Sequence, residues 1–192
     1  MKVGVLALQG AFAEHVAALE RLGVEAVEIR KPDELEALDG LIIPGGESTT
    51  IGKLAVDFGL FEPLQAFAGE KPVWGTCAGA ILLSRDAMRE QPLLGVMDIT
   101  VERNAFGRQV ASFEVDLPVP ALSELGNGHE PFHAIFIRAP LIASVGEDAE
   151  ILASLEDGRI VAARQRKLLA TSFHPELTRD DRFHRLFLSM IA

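Results

Sequence analysis

The sequence predicts one α/β domain, built on a mostly parallel central sheet with an antiparallel extension. In the first half, short apolar runs alternate with helical patterns up to the fully apolar run at 72–76, which is the order expected of βαβ units. In the second half, shorter strand-like runs are joined by turns such as Glu156-Asp157-Gly158, which is typical of antiparallel pairing. The 192 residues contain no repeat and no linker, so we expect a single domain over residues 1–192.

The individual elements follow from the spacing of apolar residues and from the turn signals between them. In the first half we expect strands at 2–8, 24–29, 41–43 and 72–76, helices at 11–22, 48–58 and 61–67, and a helical turn within 32–38. Gly23 ends the first helix, as a glycine after a helix commonly does. In the second half we expect strands at 99–101, 110–117, 134–137, 151–155, 159–164 and 168–173, and a closing amphipathic helix at 180–191.

The charge balance and the cysteine count exclude several kinds of partner and location. With 28 acidic and 18 basic residues, the net charge is −10, which repels the phosphates of nucleic acid and of anionic lipid alike. The single cysteine cannot form an intrachain disulfide, and the first apolar run is too short for a signal-peptide core or a membrane span. We therefore expect a cytoplasmic protein that binds neither nucleic acid nor membrane.

The strongest chemical signal is Gly75-Thr76-Cys77-Ala78-Gly79, between a buried strand and the apolar run at 80–83. A cysteine on a sharp strand-to-helix turn needs small neighbours, and the following helix directs its positive end at the sulfur, which favours the thiolate. The backbone N–H of Ala78 then lies where an oxyanion would form. A lone cysteine is more often a small buried hydrophobic residue, but the flanking glycines favour a nucleophile here.

A nucleophilic cysteine needs a base, and the base needs a group that orients it. His174-Pro175-Glu176 follows the last predicted strand, and Pro175 favours an extended path, in which residues two apart face the same side. Glu176 can then fix the tautomer of His174 while the other ring nitrogen faces the sulfur of Cys77. The sequence therefore predicts a Cys77–His174–Glu176 triad.

The remaining histidines are weaker candidates for a catalytic or metal-binding role. His15 and His184 lie in predicted helices, and we expect them to be surface or partly packed residues. The segment from His129 to His133 matches the letters of a zinc-protease motif, which requires both histidines on one helical face. Pro131 breaks that helix, so we expect no metal site.

The turn Pro44-Gly45-Gly46-Glu47-Ser48 ends the third predicted strand. A glycine pair at the carboxyl end of a strand lets the backbone approach a ligand closely, so the turn could supply a second oxyanion donor. An ordinary loop with Ser48 as the helix N-cap is a compatible alternative. The segment 46–53 resembles a phosphate loop, but a leucine stands where the magnesium-binding Ser or Thr is required. We expect no nucleotide and no other cofactor.

The elbow and the His-Pro-Glu segment together resemble class I (triad) glutamine amidotransferases, a family with a flavodoxin-like, three-layer α/β/α fold. The resemblance is closer to one branch of that family, the glutaminase subunits of pyridoxal phosphate synthase, and it covers essentially the entire chain. The motifs that carry it are Leu8-Gln9-Gly10, 44–50, 101–109, 136–140 and 172–178.

The resemblance implies a reaction and a set of site residues. Cys77 would attack the carboxamide of L-glutamine to form a glutamyl thioester, His174 would shuttle the proton, and Glu176 would orient His174. The backbone N–H groups of Gly46 and Ala78 would form the oxyanion hole. A carboxylate and arginines suit the ammonium and carboxylate of an amino acid. The glutamine-binding residues implied are Gly46, Glu47, Ser48, Arg103, Ile137 and Arg138.

The resemblance also implies a partner, a (β/α)₈-barrel subunit that makes pyridoxal phosphate with the released ammonia. The two subunits would form a large complex with one glutaminase for each synthase subunit, and the glutaminase would be weak until the partner docks. One departure from the family pattern is the segment 126–132, which is longer here. The match is firm again at Arg138.

Three other functions would use some of the same residues. A glutaminase subunit for another acceptor, such as the imidazole-glycerol-phosphate branch of histidine biosynthesis, would share the triad, although the segment 103–109 argues against it. A cysteine peptidase or a stress-response hydrolase of this fold would not need Arg103 and Arg138 to select a free amino acid. A catalytically silent docking module would keep its function after Cys77→Ala.

Overall fold

The computed structural model describes residues 1–103, 112–126 and 130–191. Short 3₁₀ turns lie at Pro32–Leu35, Pro120–Leu122 and Pro175–Leu177. The α-helices are α1 (Phe12–Arg21), α2 (Ser48–Asp57), α3 (Phe61–Glu70), α4 (Ala78–Leu83) and α5 (Arg182–Ser189). None of the helices in these ranges has both the length and the apolar character needed to cross a membrane. The strands are β1 (Lys2–Leu6), β2 (Glu25–Ile29), β3 (Gly40–Ile43), β4 (Val73–Thr76), β5 (Ser84–Asp86), β6 (Met97–Glu102), β7 (Ser112–Leu117), β8 (Phe132–Ile137), β9 (Leu141–Val145), β10 (Glu150–Ser154), β11 (Ile160–Gln165) and β12 (Leu168–Thr171).

One large sheet carries most of these strands, in the order β2-β1-β3-β4-β12-β11-β9-β6-β5, with β10 beside β11. The strands β2, β1, β3, β4 and β12 pair in parallel. Beyond β12, the pairs β12–β11, β11–β9 and β9–β6 are antiparallel. A separate antiparallel pair is formed by β7 and β8. The predicted parallel sheet with an antiparallel extension is therefore confirmed.

The side chains of the central strands alternate between two cores, one on each face of the sheet. Leu41, Ile43 and Val73 pack with apolar residues of α2, α3 and α4 on one face. Ile42 and Trp74 pack with apolar residues of α1, α5 and the β7–β8 pair on the other face. The molecule therefore has the three-layer α/β/α arrangement that the family resemblance implies.

Several elements differ from the sequence-based expectations. The strands β5 and β9 are absent from the prediction, because β5 is short and polar and β9 directly follows Pro140. The last strand ends at Thr171 and the closing helix is shorter, at Arg182–Ser189. Ser48 is not the N-cap of its helix: Glu47 holds that position and Ser48 is the first helical residue. Residues 110–111 of a predicted strand, 104–109 of a family motif and 127–129 of the longer segment lie outside the described residues.

We expect Gly79→Ala to destabilise the fold by about 1–3 kcal/mol, as overpacking a core does. Gly79 lies in α4, and a Cβ there would overlap the carbonyl oxygen of Ile43 in β3. Gly69→Ala in α3 is the matched control, because nothing lies within 4 Å of its added Cβ and alanine favours a helix over glycine. Urea unfolding of both variants measures the difference, and equal midpoints would contradict the expectation.

Candidate active site

Cys77 lies between β4, which ends at Thr76, and α4, which begins at Ala78. Its backbone has φ 48° and ψ −103°, a conformation that L-residues rarely adopt and that costs about 1–3 kcal/mol. The N–H of Cys77 donates to the carbonyl oxygen of Thr171 in β12 at 2.7 Å, which ties the strained residue to the neighbouring strand. The sharp strand-to-helix turn predicted from the sequence is confirmed.

The glycines on either side of the cysteine make this turn possible. A Cβ on Gly75 would lie 2.5 Å from the carbonyl oxygen of Gly79, closer than a real side chain can approach. Cys77 is buried, with 7% of the surface of the residue exposed. Ala78, the first residue of α4, is also buried, and its N–H is among those that have no partner within the helix.

His174 and Glu176 form a buried hydrogen-bonded pair after β12. Nδ1 of His174 lies 2.7 Å from Oε1 of Glu176, and the two residues are 8% and 5% exposed. The extended path predicted for this segment is wrong, because Pro175–Leu177 form a 3₁₀ turn that begins at His174. The fixed φ of proline suits the first position of such a turn. The turn folds the carboxylate back onto the imidazole, so the expected pair forms by a tighter path.

The turn at Gly45 and Gly46 lies directly against the cysteine and the histidine. A Cβ on Gly45 would lie 2.5 Å from Cε1 of His174 and 3.2 Å from Cβ of Cys77. The glycine turn, the thiol-bearing residue and the imidazole therefore share one small space. Any residue larger than glycine at position 45 would push the histidine away from the cysteine.

Gln9, in the loop after β1, holds this glycine turn in place. Its Oε1 accepts a hydrogen bond from the N–H of Glu47 at 2.8 Å. A Cβ on Gly46 would lie 2.5 Å from the same oxygen, so the amide packs tightly over the turn. On the other side, the carbonyl oxygen of Gly45 accepts from the N–H of Ala11 at 3.0 Å. The loop after β1 therefore fixes the loop after β3.

The buried pair has pKa values far from those of exposed side chains. Burial alone would lower the pKa of His174, but its interactions with Cys77 and Glu176 outweigh burial and raise the pKa to about 10. Burial alone would raise the pKa of Glu176, but the imidazoles of His15 and His174 outweigh burial and hold that pKa below its usual range. At neutral pH the site therefore favours a protonated His174 beside an ionised Glu176.

A second polar group lies beside the glycine turn and contains three residues that the family resemblance implies for glutamine binding. Nη2 of Arg103 donates to Oε1 of Glu47 at 2.6 Å. Oε1 of Gln91 accepts both from Nη1 of Arg103 and from Oγ of Ser48, each at 3.2 Å. Nε2 of Gln91 is buried and has no hydrogen-bond partner in the part of the chain that the structure describes. Gln91 belongs to no motif, so the sequence gives no sign of its place here.

Gly46, a fourth implied binding residue, lies in the glycine turn, and the last two are Ile137, which ends β8, and Arg138, which follows it. The N–H of His174 donates to the carbonyl oxygen of Ile135 at 2.9 Å, which ties β8 to the histidine segment. Ile137 is 37% exposed, and Arg138 is exposed with φ 44°. Both residues therefore lie where β8 leaves the His174 segment and turns toward solvent.

His15 and His184, expected at or near the surface, are instead buried, with 0% and 1% of their surface exposed. Nδ1 of His15 lies 3.0 Å from Nε2 of His184. Nε2 of His15 lies 3.2 Å from Oγ1 of Thr76 and 3.4 Å from Oε2 of Glu176. Two histidines that were not assigned to the site therefore lie directly behind it.

The sequence does contain a signal that His15 is buried, which is its spacing along the helix. His15 is three residues after Phe12 and four before Leu19, so it lies on the same face of α1 as the apolar residues. Leu19 is fully buried against the sheet. A polar residue inside an apolar helical stripe predicts a buried polar contact, which is what the structure contains.

His133 does not lie in the helix that the zinc-motif letters require, because it belongs to strand β8. Its ring nitrogens lie 2.8 Å from Asp116 and 2.9 Å from Glu114, and these carboxylates raise the pKa of His133. His129 lies outside the described residues. In the ranges that are described, no group of three or more His, Cys, Asp and Glu side chains could hold a metal ion.

Solved structures with this fold include glutamine amidotransferases. One, described as "Crystal structure of glutamine amidotransferase", superposes with a TM-score of 0.91 at 53% identity and covers 98% of both chains. A putative GMP synthase component from Thermoplasma acidophilum superposes with a TM-score of 0.72 at 20% identity, over 100% of this chain and 94% of that one. The second match shows a shared fold only. Together they place the chain in the structural class of the glutamine amidotransferases.

Sequence comparison defines the family more narrowly. The model of the SNO glutamine amidotransferase family matches residues 5–192. A "Pyridoxal 5'-phosphate synthase subunit PdxT" from Herpetosiphon aurantiacus is 62% identical over 195 residues, covering 99% of this chain and 100% of the relative. A protein of the same description from Moorella thermoacetica is 60% identical over 194 residues, covering 100% of both. The chain therefore belongs to the SNO glutamine amidotransferase family. It is, as such, a glutamine-hydrolysing enzyme subunit.

We expect NMR of the histidine rings to show His174 titrating near pH 10. Cys77→Ala should move that midpoint down, because the interaction with Cys77 is the largest of those that raise the pKa of His174. His184 should stay neutral, since burial lowers its pKa well below the ordinary value. A His174 midpoint near the unperturbed 6.5 in the intact protein would contradict the expected charge pattern.

The same raised pKa has a consequence for stability. Because the pKa of His174 rises from 6.5 to about 10 on folding, its protonated ring stabilises the folded state fully below about pH 6.5. That contribution is lost as the pH rises through about 10. The difference in unfolding free energy between the wild type and Cys77→Ala, measured in urea at both pH values, should therefore shrink at the higher pH.

Proposed function

We propose that the chain is the glutaminase subunit of a pyridoxal 5'-phosphate synthase, and that it hydrolyses L-glutamine with a Cys77–His174–Glu176 triad. The observation that carries the proposal is the full-length similarity, at 62% and 60% identity, to two curated proteins described as pyridoxal 5'-phosphate synthase subunits. The geometry supports it, because Gly45 packs against both Cys77 and His174 and His174 is bonded to Glu176.

In the proposed reaction, the thiolate of Cys77 attacks the side-chain amide carbon of glutamine. A C–S bond forms, and the carbonyl electron pair moves onto the oxygen. The imidazolium of His174 then donates its proton to the amide nitrogen, the C–N bond breaks, and ammonia leaves behind a glutamyl thioester. Neutral His174 next takes a proton from water, which attacks the thioester and releases glutamate and the thiolate. The raised pKa of His174 supports its role as the imidazolium that donates this proton.

The oxyanion of each tetrahedral intermediate needs hydrogen-bond donors. We assign this role to the backbone N–H groups of Ala78 and Gly46. Ala78 supplies the first N–H of α4, immediately after the nucleophile, and Gly46 lies in the turn that packs against the cysteine and the histidine. Glu176 stabilises the imidazolium form of His174 through the bond to Nδ1, which leaves Nε2 free to exchange a proton with the thiol and the substrate.

The polar group around Arg103 suits the main chain of a free amino acid. The ammonium and the carboxylate of glutamine are attached to the same carbon, so their binding groups must also lie close together. Glu47 and Arg103 are in contact at 2.6 Å, and they offer one charge of each sign. We propose that Glu47 binds the ammonium and Arg103 the carboxylate, with Ser48, Ile137 and Arg138 completing the pocket. An amide substrate that lacks a free ammonium and a free carboxylate would make neither of these contacts.

The partner in this proposal is a (β/α)₈-barrel synthase subunit that consumes the ammonia to make pyridoxal phosphate. The stoichiometry of one glutaminase per synthase subunit, within a larger complex, stays a prediction. The cytoplasmic location stays a prediction too, and it rests on the single cysteine and the reducing environment in which unpaired thiols persist.

We expect ammonia release from glutamine to rise strongly when the purified chain is mixed with the barrel synthase subunit. Cys77→Ala should abolish the release, and His174→Ala should lower it by about 10²–10⁴-fold, the usual contribution of a general acid–base. The measurement is a coupled glutamate or ammonia assay with and without the partner. Asp116→Asn, at an exposed side chain of β7, is the control and should match the wild type.

Each failure in this assay has a separate meaning. If Cys77→Ala retains activity, the triad is wrong. If the wild type hydrolyses glutamine but the synthase subunit changes nothing, the acceptor is wrong while the glutaminase assignment stands.

We expect Gln91→Ala to raise the KM for glutamine severalfold with a smaller change in kcat. Gln91 accepts hydrogen bonds from Arg103 and Ser48, so its loss frees two binding side chains without touching the reacting atoms. Arg103→Lys should raise KM further, because an ammonium cannot grip a carboxylate bidentately. Steady-state kinetics with the partner present measure both. The control is Arg85→Ala, which removes an exposed arginine paired with Asp98. A KM that rises as much in this control as in Gln91→Ala would contradict the assignment.

A further inference from the structure

The carboxylate of Glu176 has two oxygens in different surroundings. Oε1 is bonded to Nδ1 of His174 at 2.7 Å. Oε2 is buried and makes no hydrogen bond of good geometry within the described residues, but it lies 3.4 Å from Nε2 of His15. An ionised carboxylate in a buried site needs donors near both oxygens. His15 is the side chain from which such a donor could come.

The protonation of His15 can be worked out from its neighbours. Burial lowers the pKa of both His15 and His184, so each ring is neutral and carries one N–H. Nδ1 of His15 and Nε2 of His184 are 3.0 Å apart, so one of the two donates to the other. If His15 donated from Nδ1, the lone pair of its Nε2 would face the anionic oxygen of Glu176, which is repulsive.

The favourable arrangement is therefore the opposite one. His184 donates from Nε2 to Nδ1 of His15, and His15 presents the N–H of Nε2 to Oε2 of Glu176 and to Oγ1 of Thr76, 3.2 Å away. This assignment also explains Nδ1 of His184, which is buried without a partner in the described part of the chain. In this tautomer that atom is an acceptor without a proton, which is less costly to leave unpaired than a buried N–H.

We propose that His15 is a positioning residue for the triad: it holds the ionised carboxylate of Glu176 through Oε2, so that Oε1 stays aimed at His174. The proposal deepens the proposed glutaminase mechanism and rests on its triad. His15 touches neither the substrate nor the thiol, and it acts through Glu176. His15 also contacts Thr76, the residue before Cys77, so it links the carboxylate of Glu176 to the turn that contains the nucleophile.

A purely structural role for His15 is the competing explanation. The ring of His15 packs edge-on against Trp74, with 5.5 Å between centroids, so its removal would disturb the core whatever its polar role. The charged and titratable groups that face it are Glu176 and His174 from the segment after β12, His184 from α5, and Glu14 from its own helix. A useful test compares two variants that both lack the ring, of which only one can still donate a hydrogen bond to Glu176.

His15→Gln and His15→Asn form such a matched pair. The terminal amide of glutamine reaches about as far as Nε2 of the imidazole, so His15→Gln can still donate to Glu176. The shorter asparagine reaches only about as far as Nδ1, so His15→Asn can contact His184 but not Glu176. Both variants lose the aromatic ring. His133→Asn, at an exposed histidine, is the control and should leave every readout at its wild-type value.

Two readouts are needed, one of them independent of glutamine. In the presence of the synthase subunit, we expect His15→Asn to lower kcat by about 10–100-fold with KM nearly unchanged, whereas His15→Gln stays within about threefold of the wild type. In the free chain, ring NMR should show the His174 midpoint falling by about one pH unit in His15→Asn and much less in His15→Gln. Thermal unfolding of both variants shows whether each is folded at the assay temperature.

Equal losses of kcat in the two folded variants, or an unchanged His174 midpoint in His15→Asn, would overturn the proposal and leave His15 with a packing role. If His15→Asn is unfolded, the comparison of His15→Gln with the wild type decides: a His174 midpoint lowered by a full unit despite the retained donor contradicts the proposal. If the wild type releases no ammonia at all, the glutaminase assignment fails, and the NMR readout still decides whether His15 positions Glu176.

Discussion

A carboxylate buried inside the protein is the constraint on which the candidate site depends. Glu176 is only 5% exposed, and burying an ionised carboxylate costs several kcal/mol unless donors surround it. His174, the residue that precedes the 3₁₀ turn containing Glu176, supplies one such donor, and His15 approaches from α1. This need explains why histidines enter a layer otherwise filled by aromatic side chains such as Trp74 and Phe183. The charge organises the packing around it, and it also sets the protonation of the neighbouring imidazole.

The parallel half of the sheet brings distant parts of the chain to this charge. Gln9 follows β1, Gly45 follows β3, Cys77 follows β4, and His174 comes shortly after β12. These four strands are adjacent, in the order β1-β3-β4-β12. Because parallel strands all end at the same edge, the loops after them converge there, which is where open α/β sheets bind ligands. The site is therefore a product of strand order, and no single segment could form it alone.

Sequence reasoning succeeded where local residues decide the structure and failed where distant contacts do. The Cys77 turn depends on its own small neighbours, so the motif alone predicted it. The path after His174 was predicted incorrectly, because proline is compatible both with extended backbone and with the start of a 3₁₀ turn. His15 was expected to be a surface or partly packed residue. Its helical spacing indicates burial, but its polar partners lie 61, 161 and 169 residues away, and no local pattern identifies them. Gln91, in an irregular segment, was missed for the same reason.

Cys77 is the only cysteine in the chain, and this fact has a consequence for oxidative damage. A thiolate oxidised by peroxide first becomes a sulfenic acid, which many proteins rescue by condensation with a second cysteine. This chain has no such resolving thiol. Reduction must come from outside, from a small thiol or another protein that can reach a residue only 7% exposed. The narrow access that keeps bulky reductants out slows repair as well as damage, so the survival of Cys77 under oxidative stress depends on how tightly the site stays closed.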